Sequence, residues 1–333
     1  MATPVIYSRS FRGSYTTDDA PHERLLGRVE FGLGLQRPDD PRRVVVALDP
    51  LSEPCWAEQW LSDRPVAFGR EDDFGYSHNG EVLFGNIYLA ESELVDLERA
   101  TLRLYVRIEQ LLQRMGYPHC LRIWNFLADI NAGEGDRERY RLFSAGRSRA
   151  LALKPGFEQR LPAATAIGTY EPGLVIYFLA AKTPGQPVEN PRQVSAYRYP
   201  RQYGPRSPSF ARATLIGEGA ATRLLVSGTA SVVGHESRHR GDPLRQLEET
   251  MANLEAVAAH AVVAHCGGSG SARVRAESLK LYLRDRDLLD ELQPLLARLR
   301  GPEQAPLLCL RGDICRSDLL VEVEAVLRID AST

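Results

Sequence analysis

The chain has 333 residues, of which 44% are hydrophobic and 25% are charged, and its formal net charge is −2. This length favours two domains of roughly 150 residues, each large enough to bury its own core. The charge balance excludes a protein that overall basicity draws to nucleic acid or to a membrane surface, so we expect neither partner.

The cysteines and the N-terminal sequence indicate a cytoplasmic protein. The five cysteines form no CxxC pair and no metal-ligand spacing, which favours reduced thiols over a disulfide framework: Cys55, Cys120, Cys266, Cys309 and Cys315. The first fifteen residues lack the apolar region of a signal peptide, and no later stretch approaches the ~20 apolar residues of a membrane span.

The first half of the chain contains an amphipathic helix followed by apolar strands. Apolar residues recur at helical spacing through residues 92–115, and Gly116 is suited to end that helix. Residues 120–130 and 173–182 are apolar runs that predict strands. The arginine-rich segment between them, residues 138–153, is interpreted as a helix or a basic connection.

The second half repeats this order. A helix is predicted from residue 242 to Gly267, then a strand over 278–287, a helix over 288–301 and two strands within 306–329. The repeat predicts two copies of one α+β domain, each a mixed sheet packed by helices. The intervening segment is rich in proline and glycine, which indicates a linker. We place the boundary near residue 190, giving domains 1–190 and 191–333.

The segment VVGHESRHRGDP contains the His-Glu-x-x-His pattern of zinc metalloproteases. That site requires a helix, which places both histidines on one face within reach of one metal ion. Here an apolar strand precedes the motif, and Asp242 and Pro243 are suited to start a helix after it. His235, Glu236 and His239 are therefore expected on a surface loop, no third ligand is placed, and we expect no metal site.

Ordered motifs of the second half resemble the RidA (YjgF) family: YGPRSPSF, a strand ending in Ser-Gly, a helix with Gln and Asn-Leu, and the closing strand LLVEVEAV. Together with RIWNFLADIN, ERYRLFSAGR and VGHESRHRGD, they make the chain resemble the chorismatases from about residue 65 to residue 329. The resemblance implies two fused RidA/YjgF-like (chorismate-mutase-like) domains. It also implies an enzyme that releases pyruvate from chorismate without a metal or an organic cofactor.

Chorismate carries two carboxylates, and binding them calls for arginine forks and hydroxyl groups in a partly closed cleft. We expect Arg147 of the first half and Tyr203 and Arg212 of the second to hold these carboxylates where the halves meet. The alternative is that the arginines are ordinary solvated cations. Three further arginines are secondary candidates for substrate contact, because the sequence does not fix their orientation: Arg149, Arg201 and Arg206.

Pyruvate release begins with protonation of a vinyl ether, which needs a carboxylic acid that stays protonated near neutral pH. Strand alternation places Glu322 and Glu324 on one face of the closing strand. By position in the motif, the resemblance assigns the general acid to Glu322, with Glu324 as the second choice. The last strand of the first half has no carboxylate at the corresponding place.

Two further positions bear on the product. In chorismatases that form hydroxybenzoate, a glycine follows the serine at the strand end and a cysteine lies seven residues before the glutamate. Gly228 and Cys315 match these places. The resemblance thus implies 3-hydroxybenzoate, alone or with 4-hydroxybenzoate, formed through an arene oxide when the ring hydroxyl displaces the enolpyruvyl oxygen. Cys315 has either a chemical role or that of a small apolar wall residue.

Alternatives from other classes stay open on the sequence. They are a hydrolytic chorismatase that yields a dihydroxycyclohexadiene carboxylate, a RidA-like imine deaminase or small-acid-binding protein, and a chorismate-binding regulator without turnover. Single-domain RidA proteins form trimers with clefts between subunits. A fused chain can form its cleft internally, so we expect a monomer rather than a trimer.

Overall fold

The computed structural model describes residues 6–12, 22–51, 56–217, 222–266 and 272–331. The N-terminal part consists of five strands: β1 (Ile6–Arg12), β2 (Leu25–Phe31), β3 (Arg43–Val46), β4 (Asp49–Pro50) and β5 (Trp56–Ser62). Four of them form a sheet in the order β1-β5-β2-β3, and β4 pairs elsewhere.

The first repeat follows this N-terminal sheet. Its elements are β6 (Ala67–Glu71), β7 (Phe74–His78), β8 (Val82–Leu89), α1 (Leu97–Met115), β9 (His119–Ala128), α2 (Arg139–Leu151), β10 (Ala163–Thr169) and β11 (Leu174–Ala181). The strands lie in the order β10-β9-β11-β8-β7-β6. Strands β9 and β10 are parallel because helix α2 connects them, and the other neighbours are antiparallel.

The second repeat runs to the end of the described chain. Its elements are β12 (Gln186–Val188), β13 (Ala213–Ile216), β14 (Arg223–Ala230), β15 (Val232–Val233), β16 (Glu236–Ser237), α3 (Pro243–Cys266), β17 (Ala272–Leu283), α4 (Leu288–Arg300), β18 (Leu307–Arg311), β19 (Asp313–Ile314) and β20 (Val321–Ala331). The main strands lie in the order β18-β17-β20-β14-β13-β12, and β15 and β16 form a separate hairpin.

The two strand orders match position by position, so the predicted α+β architecture of two fused copies is confirmed. The arginine-rich segment of the first half is helix α2. Strand β12 already pairs in the second sheet, so the second repeat begins a few residues before position 190. Strand β17 covers Ala272–Leu283 rather than the expected 278–287. Residues 284–287 connect it to helix α4, which starts at Leu288.

Each sheet is completed at one edge by a strand from outside its own repeat. The short strand β4, which precedes the first repeat, pairs with β18 at the edge of the second sheet. In return, β19 of the second repeat pairs with β10 at the edge of the first sheet. The two halves are therefore joined by backbone hydrogen bonds as well as by packing.

The core is layered, with helices outside and sheets inside. Helices α1 and α2 pack on one face of the first sheet, and α3 and α4 pack on one face of the second. The other faces of both sheets meet each other and the N-terminal sheet in a third apolar cluster. Trp124 lies at its centre, with ring centroids 4.5 Å from Tyr177 and 5.5 Å from Trp60.

The cysteines whose side chains the structure describes are free thiols, namely Cys120, Cys309 and Cys315. Cys55 and the side chain of Cys266 lie outside the described residues. Within the described ranges, no helix is both long enough and apolar enough to cross a membrane.

Candidate active site

The closing strand β20 carries two buried carboxylates on the face that meets the first sheet. Glu322 and Glu324 are each 4% exposed. Val321 and Val323 point to the opposite face, into the core beneath α3 and α4. The alternation predicted from the sequence is confirmed.

Glu324 is held by an ion-pair network that spans both repeats. Its carboxylate accepts hydrogen bonds from Arg122 Nη2 at 2.8 Å, Thr165 Oγ1 at 2.6 Å and Trp124 Nε1 at 3.0 Å, and it forms an ion pair with Lys280. Burial alone raises the pKa of Glu324. The charges of Lys280 and Arg122 and the hydrogen bonds outweigh burial, so this pKa lies below the usual range and the group stays ionised.

The N-terminal sheet supplies a second carboxylate to the same network. Glu58 on β5 accepts hydrogen bonds from Lys280 Nζ at 3.0 Å and from the Tyr177 hydroxyl at 2.8 Å. Lys280 lies between Glu58 and Glu324 and is 5% exposed. We call Glu58, Arg122, Lys280 and Glu324 the buried charge network. It contains two cations and two carboxylates, so its charges balance.

Glu322 is a third carboxylate beside a network that is already neutral. Among the described residues, no side chain or backbone group donates a hydrogen bond to it. Burial raises its pKa first, the negative charge of Glu324 raises it further, and Arg122 offsets only part of this, which gives a pKa of about 8. Glu322 therefore holds a proton at neutral pH, as a general acid must.

A bulge in β14 makes room for the Glu322 carboxyl. Pairing between β14 and β20 shifts register between Val226 and Thr229, so Ser227 and Gly228 bulge out. A Cβ atom at Gly228 would lie 1.9 Å from Glu322 Oε1. Glycine is needed here because the carboxyl occupies the space that a side chain would take.

A cavity of about 450 Å³ opens beside Glu322. Its wall comes from α2 of the first repeat and from the second repeat, including the long connection between β12 and β13. It brings together five of the six site residues predicted from the sequence, namely Tyr203, Arg212, Gly228, Cys315 and Glu322. A larger cavity, of about 720 Å³, lies between α3 and the end of α4 and contains none of them.

Four arginines line this cavity: Arg141, Arg212, Arg240 and Arg316. Arg141 pairs with Glu138 and Arg240 with Asp318, whereas Arg212 and Arg316 lie among aromatic rings. Arg212 is 7% exposed, and its Nη2 donates to the Tyr199 hydroxyl at 2.6 Å and to the backbone oxygen of Val194 at 2.9 Å. Its Nε is buried without a partner in the described structure. The guanidinium of Arg316 lies 4.1 Å from the ring centroid of Tyr203. Both cations are pre-positioned, and both have the chemistry to pair with a carboxylate.

On the first-repeat side of the cavity, Tyr140 of α2 lies beside the Cys315 thiol. Burial raises the pKa of Cys315 to about 12, and the charge of the nearby Glu322 adds to this effect. Burial also raises the pKa of Tyr140. Both groups are therefore neutral at physiological pH, and a neutral thiol is a poor nucleophile.

The His-Glu-x-x-His segment is not helical. His235 lies in the turn between β15 and β16, Glu236 lies on β16, and α3 begins only at Pro243. The expected start of the helix beyond His239 is therefore confirmed. His239 Nε2 lies 3.2 Å from a carboxylate oxygen of Glu249. Among the described residues, no group of three or more His, Cys, Asp and Glu side chains could hold a metal ion.

Arg147 is the predicted site residue that the structure does not bring to this cavity. It lies on the inner face of α2, in a separate cavity between α1 and α2. The secondary candidates for substrate contact do not line the site cavity either. Arg149 pairs with Glu98, Arg201 pairs with Asp136, and the side chain of Arg206 is exposed.

Sequence reasoning missed Arg316 and Tyr140, which reach the cavity from separate parts of the chain. Arg316 directly follows Cys315, so the motif that identified the cysteine also contained this arginine. Tyr140 lies seven residues before Arg147 on the helix that was singled out for its arginines. The Gly228–Glu322 contact had no signal in the sequence beyond the motif itself.

Residues 58–180 match the family described as "Chorismatase FkbO/Hyg5-like, N-terminal". The chain is 37% identical over 316 residues to a 3-hydroxybenzoate synthase of Streptomyces hygroscopicus, and 91% of each chain is covered. It is 35% identical over 311 residues to a chorismatase of the same organism, covering 91% of this chain and 89% of the relative. A crystal structure of a chorismatase matches with a TM-score of 0.87 and 33% identity, covering 98% of this chain and 99% of that chain.

The raised pKa of Glu322 predicts how stability depends on pH. An unfolded glutamate ionises near 4.5, whereas the folded protein keeps this proton up to about 8. Within this window only the unfolded state releases the proton, so the folded state loses stability as pH rises. Glu322→Gln removes this pH dependence. The free energy of unfolding of the variant, relative to that of the wild type, should therefore increase by about 1.4 kcal/mol for each pH unit across the window.

Urea unfolding at one pH below this window and one above it measures the effect. The matched control is Glu255→Gln on the exposed side of α3, whose stability should keep the pH dependence of the wild type. Equal pH dependence of stability in Glu322→Gln and the wild type would show that Glu322 ionises normally in the folded state.

Proposed function

Because the chain belongs to the chorismatase family, we propose that it acts on chorismate and releases pyruvate from the enolpyruvyl ether. The observation that carries this proposal is Glu322, a buried carboxyl with a pKa of about 8 at the wall of a cavity that Arg212 and Arg316 also line. A protonated acid and two cations are what cleavage of a dianionic vinyl ether requires.

The proposed reaction starts with proton transfer from Glu322 to the methylene carbon of the enolpyruvyl group. This turns the vinyl ether into an oxocarbenium ion. The bond between the ether oxygen and the ring carbon is then easily broken, with pyruvate as the leaving group. The ring hydroxyl attacks the carbon that pyruvate leaves, loses its proton and forms an arene oxide. The proton lost by the hydroxyl restores Glu322. Opening of the arene oxide then moves one ring proton to the oxygen, which gives hydroxybenzoate.

The atoms of chorismate divide between pyruvate and hydroxybenzoate with nothing added, so this route consumes no water, oxidant or reductant. A hydrolytic route would add water and yield the dihydroxycyclohexadiene carboxylate. The first curated relative named above is a 3-hydroxybenzoate synthase, and on this ground we propose 3-hydroxybenzoate as the main product. Formation of 4-hydroxybenzoate by the other opening of the arene oxide is an outcome of the same assay.

We propose that Arg212 and Arg316 bind the two carboxylates of chorismate, with Tyr199 and Tyr203 fixing their orientation. The support is that both guanidinium groups face the cavity and that Arg212 keeps a buried Nε without a partner in the described structure. Cys315 is proposed to shape the wall beside the ring rather than to react, because its thiol is neutral. Since one chain supplies the whole wall, we propose that the monomer suffices for activity.

Glu322→Gln should lower turnover of chorismate by a factor of ~100 to 10,000, because an amide cannot deliver the proton. In the wild type, kcat should fall as pH rises through about 8, since the acid is then ionised. Incubation with chorismate, followed by a pyruvate assay and chromatography of the aromatic products, measures both. Glu255→Gln, on the exposed side of α3, is the matched control. Undiminished pyruvate release by Glu322→Gln would falsify the assignment of the acid.

Arg212→Lys should weaken productive binding, because an ammonium group cannot reproduce the two-pronged geometry of guanidinium. Removing the cation, as in Arg212→Ala, costs roughly 2–5 kcal/mol, and Arg212→Lys should lose part of this, which appears as a lower kcat/KM for chorismate. Arg201→Lys is the control, because that arginine is exposed and paired with Asp136 outside the cavity. Kinetics that are the same in both variants would remove Arg212 from the carboxylate site.

Gly228→Ala should slow pyruvate release and reduce the aromatic share of the products. The added methyl group overlaps the position of Glu322 Oε1, so the carboxyl must rotate away from the place where it meets the substrate. Water can then compete with the ring hydroxyl. Gly234→Ala is a control, since no atom lies within 4 Å of a Cβ there, although its φ of +60° carries its own strain. Unchanged rate and product ratio in Gly228→Ala would show that the contact with Glu322 does not govern the reaction.

A further inference from the structure

One threonine of the first repeat is hydrogen-bonded to both strands that surround the Glu322 carboxyl. Thr165 lies on β10 and is 2% exposed. Its hydroxyl donates to Glu324 Oε2 on β20 at 2.6 Å, and it accepts from the Gly228 N–H on β14 at 3.0 Å and from Arg122 Nη2 at 2.5 Å. A hydroxyl has one proton and two lone pairs, so Thr165 is fully used and its proton has a fixed direction.

The acceptor that Thr165 offers to Gly228 lies at the bulge of β14. A bulge takes backbone groups out of the regular ladder, and the pairing between β14 and β20 is interrupted here. Strand β10 provides replacement partners, because the Ala164 N–H donates to Ser227 Oγ at 2.8 Å and Thr165 Oγ1 accepts from Gly228. Two consecutive residues of the first repeat therefore hold the shape of this bulge in the second.

The bulge and the threonine together bound the space that the Glu322 carboxyl occupies. The position of a Cβ atom at Gly228 is 1.9 Å from Glu322 Oε1 and 3.3 Å from Thr165 Oγ1. The hydroxyl is thus close to the acid, yet its proton is committed to Glu324. A hydrogen bond donated to Glu322 would favour its ionised form, so this commitment lets Glu322 keep its own proton.

Thr165 is not among the residues that line the cavity beside Glu322, so its effect on the reaction passes through its neighbours. We propose that Thr165 is a positioning residue: its hydroxyl fixes the Gly228 bulge and the Glu324 carboxylate, which holds the Glu322 carboxyl at the cavity wall as the proton donor. This role rests on the proposed function. It gives the first repeat a part in the acid chemistry in addition to the wall that α2 contributes.

Thr214 on β13 provides a matched control at the same junction between the repeats. It is also 2% exposed, and its hydroxyl accepts from the Ala163 N–H of β10 at 2.9 Å. In the described structure no hydrogen bond joins it to a carboxylate. Thr214→Val therefore removes a buried hydroxyl between the repeats without disturbing the acid.

The first test is the steady-state kinetics of chorismate turnover by the full-length wild type, Thr165→Val, Thr165→Ser and Thr214→Val. In Thr165→Val, kcat for pyruvate release should fall at least about tenfold, which is part of the factor of ~100 to 10,000 that general acid catalysis contributes. The KM should change by less than about twofold, because Arg212 and Arg316 are untouched. Thr165→Ser retains the hydroxyl and should restore most of kcat, and Thr214→Val should match the wild type.

The second test is the pH dependence of kcat, which a loss of packing alone would not shift. Charged or titratable groups face Glu322 from β9, β17, β20, α2 and the segment after β19, and Thr165→Val changes none of them: Arg122, Tyr282, Glu324, Tyr140 and Cys315. Valine releases the Gly228 N–H and Arg122 Nη2, which can then turn to Glu322 and favour its ionised form. The fall of kcat at high pH should therefore begin at a lower pH than in the wild type.

Protein stability measures the same shift without turnover. If the folded-state pKa of Glu322 decreases, the window between 4.5 and about 8 in which only the unfolded state is ionised becomes narrower. In the upper half of this window, the free energy of unfolding should decrease less with pH in Thr165→Val than in Thr214→Val, as measured by urea unfolding. If Thr165→Val does not fold, Thr165→Ala supports the same comparisons, because it removes the hydroxyl with a smaller side chain.

Unchanged kcat in Thr165→Val, or an equal fall of kcat in Thr214→Val, would overturn the proposal. Failure of Thr165→Ser to restore kcat would also overturn it, because the methyl group would then be the important part of the side chain. If the wild type releases no pyruvate from chorismate, the proposed function is refuted, and the stability measurement still decides whether Thr165 controls Glu322.

Discussion

The structure depends on the buried charge network of Glu58, Arg122, Lys280 and Glu324. These side chains come from the N-terminal sheet, the first repeat and the second repeat, and they meet where the inner faces of the sheets pack. Removing one partner of such a network leaves a buried charge without compensation, which is strongly destabilising. The network therefore fixes how three separate parts of the chain dock, and the walls of the reaction cavity follow from that docking.

The same network sets the protonation of the acid. Its two cations are already matched by two carboxylates, so Glu322 gains only the repulsion of Glu324 and the cost of burial. A single additional unpaired cation at this place would favour the ionised form and remove the acid. The charge balance of residues that lie away from the cavity is thus part of the chemistry within it.

Much of the fold was predictable because it follows local periodicity. Apolar spacing identified the helices and most strands, Asp242 and Pro243 identified the start of α3, and alternation placed Glu322 and Glu324 on one face. Local periodicity does not show which residues that are distant in the sequence contact each other in the fold. The sequence gives no sign that Glu58 reaches Lys280, nor that Arg147 lines a different cavity from Tyr203 and Arg212.

The exchange of edge strands has a consequence for how the protein is made. Strand β4 is synthesised before the first repeat, yet its partner β18 lies close to the other end of the chain. Because synthesis proceeds from the N-terminus, the second sheet cannot acquire its last strand from β4 until nearly the whole chain has left the ribosome. Closing so long a loop slows folding and exposes a sheet edge in the meantime. The second repeat therefore receives the last strand of its sheet from a part of the chain that is made before the first repeat.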